Sequence, residues 1–423
     1  MSGAGNGYRT LKSIFHERGE ATAQAELQAR RNGYSTYLID TFKVGNHPLF
    51  YLVDRAALAS FERIMKRERR IGQLSSRLPR AAMTSYLLDL TVRSIVATDR
   101  IEGVHTTRQI ISDALATGDS EDPRAKRAVE FTSLLTTLGD RQPPATVEEV
   151  RKLYDTLLEG YLDDKDHLDG ELFRTGPVRI TNGTKDVHIP PVGEKNIIAN
   201  IEVALAHALD PQASALFSAI IAHFMVEYTH PFYDGNGRFG RYLLANHMAQ
   251  VLSHLTALTL PSTLNLHKKQ YYKAFSVVEE PYNYGEATSF LHTFLQMTEK
   301  AQEYLEKELK TRYEALKSLR ERVRELEQDR EWLQGEDPKT QKQVTDMLKL
   351  LHLLGQTCIF RAPVAPTSSN LEDALDVTAP TLRDRLKLLQ GLGFVEGGRT
   401  RRWSLTEAGT ALLGLPAVDD DED

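Results

Sequence analysis

Apolar positions along this chain recur mostly at helical spacing, with short β-patterned exceptions. Near the start, STYLIDTFKV and HPLFYLV are β-rich runs around Gly45-Asn46 and predict a hairpin. The next stretch, ALASFERIMKRERRIGQL, is amphipathic. After Pro79 the segment AAMTSYLLDLTVRSIVATDRIEG sets Met83, Leu87, Leu90 and Val92 with Ile95 roughly on one face and ends at Gly103. TTRQIISDAL, PRAKRAVEFTSLLTTL, TVEEVRKLYDTLLEGYL and NIIANIEVALAHAL continue the helical pattern. RTGPVRITNGTKDVHIPPVG breaks it: β-branched residues flank Asn182-Gly183 and two prolines close the stretch, which predicts a short hairpin. Residues 214–228, SALFSAIIAHFMVEY, are apolar almost throughout and predict a helix buried on most sides.

From about Glu299 to Gln334 the chain is charge-dense. Leu309, Leu316, Leu319, Val323, Leu326 and Leu333 fall on a 3-4 alternation that Arg312 and Arg330 interrupt. This reads as a helical linker, either an exposed connecting helix or a short antiparallel or dimeric coiled coil, so a homodimer is among the expectations. After GEDP come a helix from Lys342 to Leu354, another from Leu371 to Leu375, a turn at Val377-Thr378, a helix from Pro380 to Leu389 and then GFVEGGRTRRWSLT. Helix, turn, helix and an arginine-tipped hairpin predict a C-terminal winged helix-turn-helix domain. The fold class expected is mainly α, with two or three domains, since 423 residues exceed one ordinary core.

Composition narrows the class without naming a chemistry. The chain is 41% hydrophobic and 26% charged, as in an ordinary globular protein, and its net charge of −6 calls for no polyanionic partner. Its single cysteine, Cys358, can form neither an intrachain disulfide nor a four-cysteine zinc site. With no apolar run of membrane-spanning length and no signal-like start, a cytoplasmic location without membrane contact is expected.

The chemistry concentrates in HPFYDGNGRFGR, residues 230–241, which joins the apolar helix to RYLLANHMAQVL. Gly235 and Gly237 flank Asn236 and permit positive φ, so successive amides can converge on an anion beside a helix N-terminus. Arg238 and Arg241 share a helical face and can clamp further phosphate oxygens. Asp234 is a hard oxygen ligand suited to Mg2+. His230 can take a proton from a hydroxyl near neutral pH. A Rossmann loop would also place Gly235, Gly237 and Gly240 at G-x-G-x-x-G, but such a loop follows a strand, and this one follows a helix. His223 and Glu227 are four apart without an H-E-x-x-H pattern, so His223 reads as a core histidine.

HPFYDGNGRFGR matches H-x-F-x-[DE]-G-N-G-R-x-x-R, and by that motif the chain resembles Fic domain enzymes, which mostly transfer AMP from ATP to a protein hydroxyl. The resemblance implies a Fic-type helical core with a small β-hairpin flap. It covers roughly Met83 to Met297, with residues 1–80 as an associated N-terminal region, 81–298 as the Fic domain, 299–336 as the linker, 337–415 as the winged helix and 416–423 as an acidic tail. It implies His230 as base for a Tyr, Ser or Thr hydroxyl, Asp234 as Mg2+ ligand, and Gly235, Asn236 and Gly237 at the α- and β-phosphates. Arg238 would grip the β-phosphate, Arg241 the γ-phosphate, and Tyr272 would line the nucleotide pocket. Lys185, Asp186, Val187, His188 and Ile189 resemble the flap that aligns a target segment by strand pairing. The implied cofactors are ATP, as substrate, and Mg2+.

Thr98-Asp99-Arg100-Ile101-Glu102-Gly103 matches the family's [ST]-x-x-x-E-[GN] inhibitory motif, which implies that Glu102 pairs with Arg241 and takes the place of the γ-phosphate. In some relatives the same glutamate positions a water that removes AMP, so a deAMPylating or dual-function enzyme stays open. At the adenine pocket Tyr271-Tyr272 are present, but Glu279 stands where relatives often carry asparagine, with Asn283 a neighbour able to replace it. Arg383, Arg385, Lys387, Arg399, Arg401 and Arg402 could face DNA phosphates or a docked protein. A winged-helix regulator with a nucleotide-sensing Fic site is the third reading.

Overall fold

The computed structural model describes residues 8–117, 123–158, 168–181, 186–334, 340–397 and 402–416. The chain is mainly helical and divides into two compact units. The first comprises residues 1–69, 94–105 and 133–303, and the second 70–93, 106–132 and 304–423.

The chain opens with helices α1 (Leu11–Arg18) and α2 (Glu20–Arg31), the first capped by Thr10, whose side chain accepts the Ser13 amide. The hairpin expected at Gly45-Asn46 forms from β1 (Thr36–Val44) and β2 (His47–Leu52), with Gly45 at φ 57. β2 also meets the chain just before a later helix, the Phe50 amide donating to Gly285 O at 3.1 Å and the Ala287 amide to Phe50 O at 2.8 Å. Buried Glu286 there accepts Arg30 at 2.8 Å and the Tyr8 hydroxyl, which pins the N-terminal segment.

Next come α3 (Arg55–Ser75), α4 (Arg80–Ile101), α5 (Arg108–Thr117), α6 (Pro123–Thr136) and α7 (Val147–Leu158). The face expected of α4 is partly different. Leu90, Val92 and Ile95 are buried, but Tyr86 and Asp89 are buried where Met83 and Leu87 are only partly covered. Asp89 goes inside because arginines meet it there: Arg108 at 2.5 Å, Arg93 at 2.8 Å and Arg312 at 3.2 Å, all within the second unit.

The second hairpin expected forms from the short strands β3 (Ile180–Thr181) and β4 (Asp186–His188). α8 (Glu194–Ala208), α9 (Ala215–Thr229), α10 (Asn236–Ala249), α11 (His254–Leu266) and α12 (Lys268–Glu279) complete the core around α9, whose side chains are nearly all buried.

α13 runs Thr288–Gln328. Much of its leucine seam is buried within the chain: Leu316, Leu319 and Leu326 lie in one apolar cluster with Leu350, Leu354, Leu386 and Trp403. Arg312 breaks the seam because its guanidinium is buried against Glu308 at 2.5 Å and Asp89. The rest of that cluster comes from α14 (Gln341–Ile359), α15 (Ser368–Leu375), α16 (Ala379–Gly391), the antiparallel pair β5 (Val395–Gly397) and β6 (Trp403–Leu405), and α17 (Glu407–Leu412). Thr367 and Asn370 form a capping box on α15.

Candidate active site

His230 terminates α9 in the left-handed region, at φ 49 and ψ 64, with its amide still donating to Val226 O at 2.9 Å. That conformation is uncommon for a residue with a side chain and persists only where surroundings impose it. Here they do. Phe232 turns inward, fully buried, and stacks on Tyr154 of α7 with ring centroids 3.4 Å apart. The Tyr154 hydroxyl donates to Asp234 O at 2.9 Å. The side-chain amide of Asn236 closes the turn on Phe232, accepting its N–H at 2.9 Å and donating to its carbonyl at 2.8 Å. Asn236 therefore shapes the loop with its side chain and can offer a ligand only its backbone.

Gly235 follows at φ 75 as the N-cap of α10, where an added methyl would overlap Leu158. The amides of Asn236, Gly237 and Arg238 thus open a fourteen-residue helix, whose first-turn N–H groups have no intrahelical acceptor. Asp234 stands at the mouth with half of its side chain exposed, 3.8 Å from Arg238. One turn on, Arg241 is buried; its Nη2 lies 2.7 Å from Glu102 Oε1, and its Nε donates to Thr98 Oγ1 at 2.6 Å. A methyl on Gly237 would overlap Glu102 Oε1. The Glu102 carboxylate therefore rests against the bare backbone of the first turn of α10, beside Arg241. Glu102 is fixed there from behind. α4 ends at Ile101, Gly103 reverses the chain at φ 76, and α12 caps the end, Tyr272 donating to Ile101 O and Lys268 to Arg100 O, both at 3.1 Å.

The electrostatics divide these groups. Burial, helped by His188 and Arg174, pushes the His230 imidazole down to about 3, against a smaller upward pull from the Glu227 backbone. It is consequently neutral, and its buried Nδ1 has no hydrogen-bond partner among the described residues. Burial also lifts the Glu227 carboxyl to about 8, although Arg241 draws it down. Arg241 stays charged: burial opposes the charge, but Glu102, Tyr271 and Glu227 together hold its pKa above the ordinary range. His223 is a core histidine, with Nδ1 3.1 Å from Gly240 O and Nε2 3.2 Å from the Tyr271 hydroxyl.

The flap is described in part. Lys185 lies outside the described residues, Asp186 and Val187 are placed as β4 backbone, and Ile189 is exposed. His188 turns inward between Glu279 Oε2 and Tyr228 O, 2.7 Å from each. Glu279 is thus a partner of the flap. Asn283 accepts the Lys12 amide at 2.8 Å and donates to Val277 O at 2.6 Å. Of the C-terminal basic residues, Arg385 pairs with Asp346 and Asp384, and Arg402 donates to the carbonyls of Leu115, Ala116 and Ala365. Arg383 and Lys387 are exposed, and Arg399 and Arg401 lie outside the described residues.

Two residues central to this geometry carried no sequence signal. Tyr154 belongs to an ordinary amphipathic helix, and Arg174 merely opens the stretch whose pattern predicts the second hairpin. Arg174 is fully buried and donates to His230 O at 2.8 Å and Gly176 O at 2.6 Å.

Residues 144–248 match the model of the Fic/DOC family. That segment is similar to Fic domains. Such domains are generally transferases that place nucleotide-derived groups on proteins. Among solved structures, the chain is similar to a Fic family protein from Desulfovibrio desulfuricans G20, at 18% identity and a TM-score of 0.52, over 84% of this chain and 98% of that one. A Fic-1 fragment from C. elegans matches at 15% identity and a TM-score of 0.46, over 71% of this chain and 81% of that one. Among the described residues no helix is long and apolar enough to cross a membrane.

Proposed function

We propose that this protein is a self-inhibited protein adenylyltransferase that moves AMP from ATP to a Tyr, Ser or Thr hydroxyl of a target protein or of itself. The observation that carries the reading is the position of Glu102, against Gly237 and 2.7 Å from Arg241, facing the neutral His230 loop that a transfer reaction would use. The triphosphate would lie along the first-turn amides of α10, with Arg238 and Arg241 as its clamp. Neutral His230 takes the proton of the target hydroxyl as that oxygen bonds to the α-phosphorus. The bond to the bridging oxygen breaks, and diphosphate leaves. Asp234, half exposed beside these amides, fits a hard divalent cation such as Mg2+, which would neutralise phosphate charge. Exposed Ile189 and the β3–β4 edge suit an extended target segment added by strand pairing.

The brake is charge competition. While Glu102 holds Arg241, the guanidinium is unavailable to a γ-phosphate and a carboxylate stands where that phosphate would go. A second reading, hydrolytic removal of AMP, draws on the partial exposure of the same carboxylate, from which it could take a proton from water. We read α14 to β6 as a winged helix. The internal partners of Arg385 and Arg402 favour protein docking over duplex binding for it, and a cytoplasmic setting suits the lone free thiol.

Nucleotide choice is tested by offering the Glu102→Gly protein each α-labelled nucleoside triphosphate with Mg2+ and a cell lysate. ATP is expected to give the strongest protein label. Equal labelling from all four, or labelling from another nucleotide alone, overturns the adenylyl assignment.

A further inference from the structure

We infer that Arg174 is a positioning residue for the reaction at His230, tying the base loop and both ends of the β3–β4 hairpin into one hydrogen-bonded unit; this rests on the transferase reading above. Arg174 is fully buried, yet among the described residues its guanidinium forms no ion pair, and each of its hydrogen bonds ends on a backbone carbonyl. Nε donates to His230 O at 2.8 Å and Nη2 to Thr229 O at 3.3 Å. Nη1 reaches Gly176 O at 2.6 Å, before β3, and Nη2 also reaches Pro191 O at 2.9 Å, after β4. Its own amide donates to Pro231 O at 3.2 Å. Two consecutive loop residues and both hairpin flanks thus converge on one side chain, and the backbone of the same residue holds a third loop residue.

The need for an arginine follows from the turn it holds. The last carbonyls of α9 have no further helical amides to accept from, and the left-handed turn at His230 directs them into the protein rather than to water. A planar guanidinium with five fixed donors can satisfy carbonyls arriving from several directions, whereas the compact ammonium of lysine cannot span them. The buried charge has a second effect. It faces the imidazole and, with burial and His188, disfavours its protonated form, so the group that fixes the base in place also keeps it a base. Tyr233 reinforces the tie from the surface side: its hydroxyl accepts the Gly176 amide at 2.9 Å and donates to Asp169 at 2.8 Å.

The test uses the full-length protein in the Glu102→Gly background, with Arg174→Lys and Arg174→Met, reading label transfer from α-labelled ATP against pH and the titration of His230 by NMR. Both variants are expected to lose about tenfold or more in kcat while KM for ATP changes by about threefold or less, the signature of a misplaced reacting group. In Arg174→Met the His230 titration rises toward its ordinary value, so rate is lost at a higher pH as the medium is acidified; Arg174→Lys keeps the charge and moves the titration less. If Arg174→Met does not fold, Arg174→Lys decides on kcat. Parental kcat and an unmoved His230 titration in a folded variant overturn the inference. If the Glu102→Gly parent itself transfers no label, the transferase reading fails, and the His230 titration, which needs no turnover, still decides the role of Arg174.

Discussion

Replacing Glu102 with glycine removes the carboxylate that rests above Gly237 and leaves Arg241 with Thr98, Tyr271 and Glu227 around it. Charge centres about 4 Å apart attract by about 4 kcal/mol at an effective dielectric constant of about 20. Glu102 keeps 34% of its side chain exposed, so water and salt screen the pair, and a discounted value is about 2 kcal/mol. That is roughly 30-fold in the population of the site able to accept a γ-phosphate. The assay is the initial rate of AMP incorporation from α-labelled ATP, measured across ATP concentrations for wild type, Glu102→Gly and Glu102→Gln. The gain should be largest at low ATP, where competition between carboxylate and phosphate matters most, and Glu102→Gln should fall between the other two because it keeps the shape and loses the charge. Equal rates for wild type and Glu102→Gly at every ATP concentration would refute the charge-competition argument.

Three further outcomes follow from the same geometry. Because His230 is held at about 3, transfer by Glu102→Gly should show no His230 acid limb near the ordinary histidine value; a rate that halves near pH 6.5 and tracks a His230 titration there contradicts the burial argument. Gly237→Ala should lower the melting temperature through the overlap with Glu102, and most of that loss should disappear in a Glu102→Ala background; additive effects would mean that the two groups do not meet. Glu227 has a raised folded value of about 8 against an unfolded one near 4.5, so only the unfolded chain releases its proton between them, and the fold loses stability as pH rises from 4.5 to 8. Glu227→Gln should therefore gain thermal stability over wild type progressively across that window, on the order of 1–3 kcal/mol at its upper end, and a constant difference between pH 5 and 8 would show that Glu227 is already ionised.

What the sequence made legible was whatever is contiguous. The β-rich runs around Gly45-Asn46, the uninterrupted apolar helix 215–229 and the loop 230–241 each carry their signal within a few residues, because turn, burial and loop conformation there depend on local spacing. Glu102 could be paired with Arg241 only through the family motif, since the two are far apart in the chain. Tyr154 and Arg174 were invisible: nothing near either residue marks a hydroxyl destined for Asp234 O or a guanidinium destined for four carbonyls. Arg312, legible only as an interruption of the leucine seam, is explained by partners far away in the chain and one turn back, Asp89 and Glu308. Glu279 departs from the residue often found there, and the structure supplies it with a local task, the flap histidine His188.

The most direct test of the account is the isotope position. Glu102→Gly and Glu102→Gly/His230→Ala are incubated in parallel with α-labelled and γ-labelled ATP, and protein-bound label is counted alongside intact mass. The account predicts label from the α-position only, a mass increase of one adenylyl group, and loss of both when His230 is removed. Label from the γ-position, or adenylylation that persists without His230, would contradict it.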